Sequence, residues 1–97
     1  MSIPSPPFED FYSSLKEKLQ QSQSWPGLYL FKFIVKTNSS NLTNLKSLFE
    51  HKNALYSEKK SSKNAFISLS VRITMKDPEE VISIYKKVSL LKGVIVL

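Results

Sequence analysis

The sequence contains no cysteine, only two glycines, one histidine and a single arginine, and each scarcity narrows the possible chemistry. Without cysteine, neither a disulfide framework nor a thiolate-ligated metal centre can form. His51 has no cysteine or cluster of carboxylates around it in the sequence, so we expect no metal site and no cofactor. With only Gly27 and Gly93, the chain also lacks a glycine-rich phosphate-binding loop.

The sequence has no long apolar run and no recognisable catalytic motif. No stretch approaches the roughly 20 apolar residues that span a bilayer. Residues 1–7 lack the charged and apolar regions of a signal peptide, so we expect a cytoplasmic protein without membrane contact. No serine stands in a G-x-S-x-G setting, and Glu79 and Glu80 are explained by the start of a helix. We therefore expect that the protein is not an enzyme.

The positive charge of the chain, +6 in net terms, is carried by lysine apart from Arg72. Guanidinium is the preferred group for bidentate recognition of phosphates and bases. A lysine-based excess therefore indicates a solvated surface before it indicates a nucleic-acid site. RNA binding stays as the alternative function, through Lys59, Lys60 and Lys63 of a predicted hairpin together with Arg72.

The chain has the length of one domain, and it begins with a proline- and serine-rich segment. We interpret residues 1–7 as a flexible leader and residues 8–97 as a single domain. An amphipathic helix opens the domain, because apolar side chains recur every three or four residues at Phe8, Phe11, Tyr12, Leu15 and Leu19. Residues 25–27, Trp-Pro-Gly, then predict a turn in which the glycine supplies a positive φ.

Alternating side chains predict two well-formed strands, at residues 28–36 and 65–75. In the first strand the aromatic side, with Phe31 and Phe33, is the better candidate for the core. The opposite face of the sheet would carry Leu30, Lys32, Ile34, Phe66 and Arg72. This second face is too apolar to be freely exposed to water, so either the N-terminal helix covers it or another chain does.

The remaining elements complete a recognisable order. A helix is predicted from Leu42 to about Lys52, a weaker edge strand at 54–60, and a last strand at 94–97. Between them, Asp77 caps a helix that ends at Gly93, with Glu80 reaching back in a capping box. The prediction is an α+β domain with a ferredoxin-like split βαβ (βαββαβ) topology. It has a four-stranded antiparallel sheet, two helices on one face and an extra N-terminal amphipathic helix.

Several pieces of the sequence together resemble a known family. They are Phe11-Tyr12, Trp25-Pro26, the run LYLFKFIV at 28–35, the run PEEVISIYKKV at 78–88, and GVI at 93–95. In this order and spacing they resemble the YbeD-like family of small uncharacterised bacterial proteins, from about Phe8 to Leu97. The resemblance implies a ferredoxin-like fold similar to ACT-type regulatory domains, which bind amino acids beside metabolic enzymes. It implies no catalytic residues.

These observations lead to one functional expectation. We expect a non-enzymatic regulatory or protein-interaction module that acts through a protein partner or through self-association. An ACT-like site for a small metabolite would lie in the loop after the first strand. There Asn38, Ser39, Ser40 and Asn41 offer hydrogen bonds to an amino or carboxylate group, although helix capping accounts for the same residues.

Overall fold

The computed structural model describes residues 7–50 and 53–97, with backbone alone for residues 7–10. Three helices and four strands make up this part of the chain. In order they are α1 (Pro7–Ser22), β1 (Gly27–Lys36), α2 (Asn41–Ser47), β2 (Leu55–Lys60), β3 (Phe66–Met75), α3 (Pro78–Val88) and β4 (Ile95–Val96). Of the predicted leader, residues 1–6 lie outside the described residues, and Pro7 already belongs to α1.

The four strands form one antiparallel sheet in the order β2-β3-β1-β4. The two strands with the clearest alternation, β1 and β3, are central and pair over their whole length, from Gly27 opposite Met75 to Lys36 opposite Phe66. The α+β class, the four-stranded antiparallel sheet and the additional N-terminal helix are therefore confirmed.

The hydrophobic core lies on one side of this sheet. Every second residue of β1 and β3 points there, and Phe31, Phe33, Leu69 and Val71 have no exposed surface. All three helices add buried side chains to the same cluster, namely Leu19 from α1, Leu45 from α2, and Val81, Ile82, Ile84 and Val88 from α3. Each fully buried side chain of this kind contributes about 1.5–3 kcal/mol. The predicted core side of the sheet is confirmed.

Helix α1 packs beside α3, on the same side of the sheet as the other helices. Leu19 is buried in the core, and the indole Nε1 of Trp25 donates a hydrogen bond to the Leu19 carbonyl over 2.9 Å. The Lys16 ammonium forms a salt bridge with Glu79 of α3 at 2.8 Å. The sequence left two possible covers for the opposite face, the N-terminal helix and another chain. Because α1 packs on the helix side, it does not cover the opposite face. The Phe8 side chain lies outside the described residues.

The turn before β1 differs from the predicted one. The Trp25–Pro26 peptide bond is cis, and Gly27 begins β1 without a positive φ. A Cβ at this position would lie 2.5 Å from Nε2 of Gln23 and 2.6 Å from the carbonyl oxygen of Ser24. The positive-φ explanation was wrong, because the structure uses this glycine for close backbone approach.

Helix α3 begins as predicted and ends earlier. The Asp77 carboxylate accepts the Glu80 backbone N–H at 2.8 Å, as an N-cap does. Glu80 in turn accepts the backbone N–H of Lys76 at 3.3 Å, one residue before the position that a capping box uses. The helix stops at Val88, because the following residues form tighter turns with i→i−3 hydrogen bonds. Gly93 has a φ of 83°, so its predicted left-handed conformation is confirmed.

Two other elements are shorter than predicted. Helix α2 ends at Ser47, and the predicted end near Lys52, like His51, lies outside the described residues. Strand β4 pairs with β1 only at Phe33 and Ile34, through Val96 and Ile95. No helix of the described chain has the length and apolar character that crossing a membrane requires.

Candidate functional site

The sheet surface opposite the helices, which we term the open face, carries every residue of the predicted interaction face. The strand register places there Leu28, Leu30, Lys32, Ile34 and Lys36 of β1, Leu55, Ser57 and Lys59 of β2, Phe66, Ser68, Ser70, Arg72 and Thr74 of β3, and Ile95 of β4. None of the described helices packs on this surface, because all three join the core on the other side. The open face is therefore a β-sheet surface without a helical layer.

Several apolar side chains on the open face keep a large part of their surface exposed. Leu30 and Phe66 keep 43% and 41% of their surface exposed, and Leu55 keeps 68%. Arg72 lies between Leu55 and Leu30 in the cross-strand register, at a shallow depression of about 240 Å³. Across the three strands β2, β3 and β1, a cationic side chain therefore lies between two aliphatic ones.

The charge on the open face has one sign. Its strands carry Lys32, Lys36, Lys59 and Arg72 there, and no Asp or Glu. The two salt bridges of the described residues lie elsewhere, between Lys16 and Glu79 and between Lys46 and Glu58. The open face therefore offers hydrogen-bond donors for anionic groups, and beside them lies aliphatic surface whose burial by a partner would be favourable.

The basic residues of the alternative RNA-binding prediction are only partly brought together. Lys59 and Arg72 lie on the open face, whereas Lys60 is opposite Ile67 and so points to the helix side. Lys63 belongs to the turn between β2 and β3. Phe66 is the one aromatic residue that the described strands present on the open face. A base-stacking platform of the usual RNA-recognition kind needs two or three such rings.

The polar loop between β1 and α2 uses most of its side chains within the protein. Ser39 Oγ donates to the Lys36 carbonyl at 2.8 Å and accepts the backbone N–H of Asn41 at 3.4 Å. Asn41 Nδ2 donates to the Lys92 carbonyl at 2.6 Å, which ties the start of α2 to the turn at Gly93. Ser40 is the N-cap of α2, although its side chain makes no capping hydrogen bond. No contact tests the predicted metabolite site at Asn38–Asn41, which stays a prediction.

A second concave site, which we term the helix pocket, lies between α1 and α3. It has a volume of about 600 Å³, and Tyr29 of β1 and three residues of the segment 94–97 also line it. The hydroxyls of two lining residues, Tyr29 and Tyr85, are hydrogen-bonded at 2.9 Å. Burial raises the pKa of Tyr85, and the hydrogen bond with Tyr29 raises it further, so Tyr85 stays protonated at neutral pH.

Sequence reasoning did not find the helix pocket, since most of its residues had an explanation as part of an apolar stripe or a predicted strand. Tyr29 and Tyr85 belong to elements far apart in sequence, and only the packing of α1 against α3 creates the concavity. The one available signal was the pair of tyrosines on the core side of predicted elements, because a buried tyrosine hydroxyl requires a polar partner.

Comparison with known proteins places most of this chain in one family. Residues 20–97 match the family model described as "Protein of unknown function (DUF493)". The chain belongs to the DUF493 family. Neither the curated proteins nor the solved structures contain a match. The matched DUF493 region includes the whole open face, whereas Phe11, Tyr12 and Leu15, which form the α1 wall of the helix pocket, precede it.

Proposed function

We propose that this DUF493 domain is a non-enzymatic interaction module whose open face binds an acidic, partly apolar segment of a partner protein. One observation carries the proposal. Helix α1 packs with the other helices and leaves the open face exposed, with aliphatic and cationic side chains side by side. Contiguous exposed apolar surface on a small domain is a usual mark of an interaction site.

The charge pattern supports an acidic partner. Four cations and no carboxylate project from the strands of the open face. Individual exposed ion pairs contribute only about 0–1 kcal/mol, so we assign most of the affinity to covering Leu30, Leu55 and Phe66. The cations then act mainly on association rate and on partner choice, because they repel basic partners and attract acidic ones.

A second copy of the same chain fits the open face less well. A two-fold symmetric dimer places the same patch of both copies in contact. The cationic patch of one copy, which includes Lys32, Lys59 and Arg72, would then face the cationic patch of the other, and the strands of that face carry no carboxylate to pair with them. The geometry therefore favours a different protein over self-association through this face.

We also propose a specific topology for the fold and a cellular compartment for the protein. The βαββαβ order after α1 and the sheet order β2-β3-β1-β4 with antiparallel neighbours support a ferredoxin-like topology and the YbeD-like relationship. By analogy with ACT-type domains of that topology, we assign the module a regulatory role in the cytoplasm. A metabolite bound at Asn38–Asn41 would be a second ligand of the same domain, in addition to the protein partner.

The test measures binding of three fluorescent probes by anisotropy. They are an amphipathic helical peptide of leucine and glutamate, the same peptide with lysine in place of glutamate, and a uridine oligonucleotide. We expect the glutamate peptide to bind, the lysine peptide to bind at least about tenfold more weakly, and added salt to weaken the binding. Absence of binding by the glutamate peptide, or tighter binding of the oligonucleotide, would overturn the proposal.

Matched variants locate the binding. Arg72→Glu and Leu30→Asp alter the open face, whereas Leu90→Asp changes a side chain that is 82% exposed and lies after α3, outside that face. We expect the first two to abolish binding of the glutamate peptide and the third to leave it unchanged. The same three proteins then serve as baits in cell extract treated with nuclease. A physiological partner must be retained by the wild-type protein and by Leu90→Asp, and lost with Arg72→Glu.

A further inference from the structure

The helix pocket is a concave site in the described part of the chain that no function explains so far. Its volume of about 600 Å³ falls within the range of sites for small molecules, about 300–1,000 Å³. Its walls come from α1, α3, β1 and residues 94–97, so a bound molecule would contact four separate parts of the chain. Such a site selects ligands by size and shape as well as by chemistry.

Among the described residues, the lining of the helix pocket carries no charged side chain. Its eleven residues are aliphatic, aromatic or hydroxyl-bearing. The nearby ammonium of Lys86 lies 5.2 Å from the centre of the Tyr12 ring and so has an aromatic partner. Lys86 is not one of the lining residues, so a charged ligand group in the pocket would lose hydration without a counter-ion from the described lining. The lining therefore favours an uncharged ligand.

The tyrosine pair supplies one directed polar interaction. In the hydrogen bond between Tyr29 and Tyr85, one hydroxyl hydrogen is used and the other hydroxyl keeps its hydrogen free. Both phenols lie among the lining residues of the pocket. Because both tyrosines line a largely apolar pocket, the free O–H can serve as a hydrogen-bond donor that orients a ligand with a carbonyl, ether or hydroxyl oxygen.

Exposed apolar side chains at the rim give an independent reason to consider this pocket. Phe11 is 60% exposed, Val96 46% and Leu97 67%, and all three line the cavity. Val96 does not belong to the open face, because it pairs with the inward-facing Phe33, and Phe11 lies on α1. A ligand in the helix pocket would cover apolar surface that the described part of the chain leaves in water.

We propose that the helix pocket binds a small, uncharged and largely apolar molecule that carries one hydrogen-bond acceptor, which Tyr29 and Tyr85 recognise. The site does not depend on the function of the open face. One wall of the pocket is formed by α1, from residues that precede the matched DUF493 region. A bound ligand would therefore hold α1 against α3, and its binding would stabilise the packing of α1.

The experiment uses the full chain and two probes of equal carbon number, methyl octyl ketone and decanoate. Binding is followed by the NMR shifts of the backbone amides. We expect saturable binding of the ketone, with shifts in α1 and α3, and binding of decanoate at least about tenfold weaker. The double variant Tyr29→Phe/Tyr85→Phe, which removes both hydroxyls, should weaken ketone binding by about two- to tenfold, the effect of one neutral hydrogen bond. Equal affinity for the two probes, or no saturable ketone binding, would overturn the proposal.

Two adjacent residues of β4 provide a matched control. Val96→Trp would fill the helix pocket, whereas Ile95→Trp would place the same bulk on the open face. Both positions are about half exposed, so neither variant disturbs the buried core. We expect Val96→Trp to abolish ketone binding and Ile95→Trp to leave it unchanged. Equal loss in both variants would overturn the location. A loss of peptide binding that only Ile95→Trp shows would reflect a change on the open face, and the proposal for the helix pocket would still stand.

Discussion

The two neighbouring residues Leu30 and Phe31 give a sharp test of which side of β1 is covered. Phe31 has no exposed surface, and its ring centre lies 4.7 Å from that of Tyr29, 5.2 Å from Tyr85 and 5.3 Å from Phe49. Phe→Ala in such a core costs about 3–5 kcal/mol, and each aromatic pair adds about 0.5–1.5 kcal/mol beyond the area that it buries. We therefore expect Phe31→Ala to lower the free energy of unfolding by at least about 4 kcal/mol.

Leu30 should behave differently because 43% of its surface remains exposed. Full burial of a leucine side chain contributes about 1.5–3 kcal/mol to stability. Since Leu30 is only partly buried and alanine keeps one methyl group, we expect Leu30→Ala to lower the free energy of unfolding by about 1 kcal/mol. Urea denaturation of both variants, with equal m-values as the control for two-state behaviour, measures the difference. A cost for Leu30→Ala above about 2 kcal/mol, the range of a fully buried leucine, would mean that the isolated chain covers its open face.

Three further predictions concern local structure. Asp77→Ala should destabilise the protein by about 0.5–2 kcal/mol, and Asp77→Ser should recover most of that, because serine also caps the Glu80 N–H; thermal melts compare the three proteins. Gly27→Ala should destabilise the protein in the same assay by more than the few tenths typical of surface sites, since its Cβ would meet the carbonyl of Ser24 at 2.6 Å. Tyr85 has a raised folded-state pKa, so its contribution to stability is complete below about pH 10, the unfolded value, and is lost as the pH rises further. The stability gap between wild type and Tyr85→Phe should therefore narrow above about pH 10 in urea titrations, and a constant gap would contradict the shift.

The central strands were predictable because a strand buried on one face alternates in sequence. In β1 an aromatic side alternates with aliphatic and lysine side chains, and in β3 aliphatic residues alternate with mostly polar ones, over ten positions in each strand. The strong cap at Asp77 and the positive φ of Gly93 were predictable for a similar reason, since each depends on chemistry within a few residues.

The position of α1 was not predictable, because an apolar stripe shows which side of a helix is buried and not which surface it meets. The stripe with Leu15 and Leu19 suits either side of the sheet, and the choice depends on long-range packing such as the burial of Leu19 in the core. The helix pocket was hidden for the same reason. The role of Gly27 was also hidden, because it arises from the neighbouring backbone of Ser24 and not from the local φ.

Mapping the binding site of the leucine–glutamate peptide by NMR tests the central claim most directly. The account predicts that the largest amide shifts fall in β1, β2 and β3, around Leu30, Leu55 and Arg72, with little change in α1 and α3. It also predicts that Arg72→Glu removes these shifts while Leu90→Asp keeps them. Shifts concentrated on the helices, or shifts on the strands that persist in Arg72→Glu, would contradict the assignment of the open face as the interaction surface.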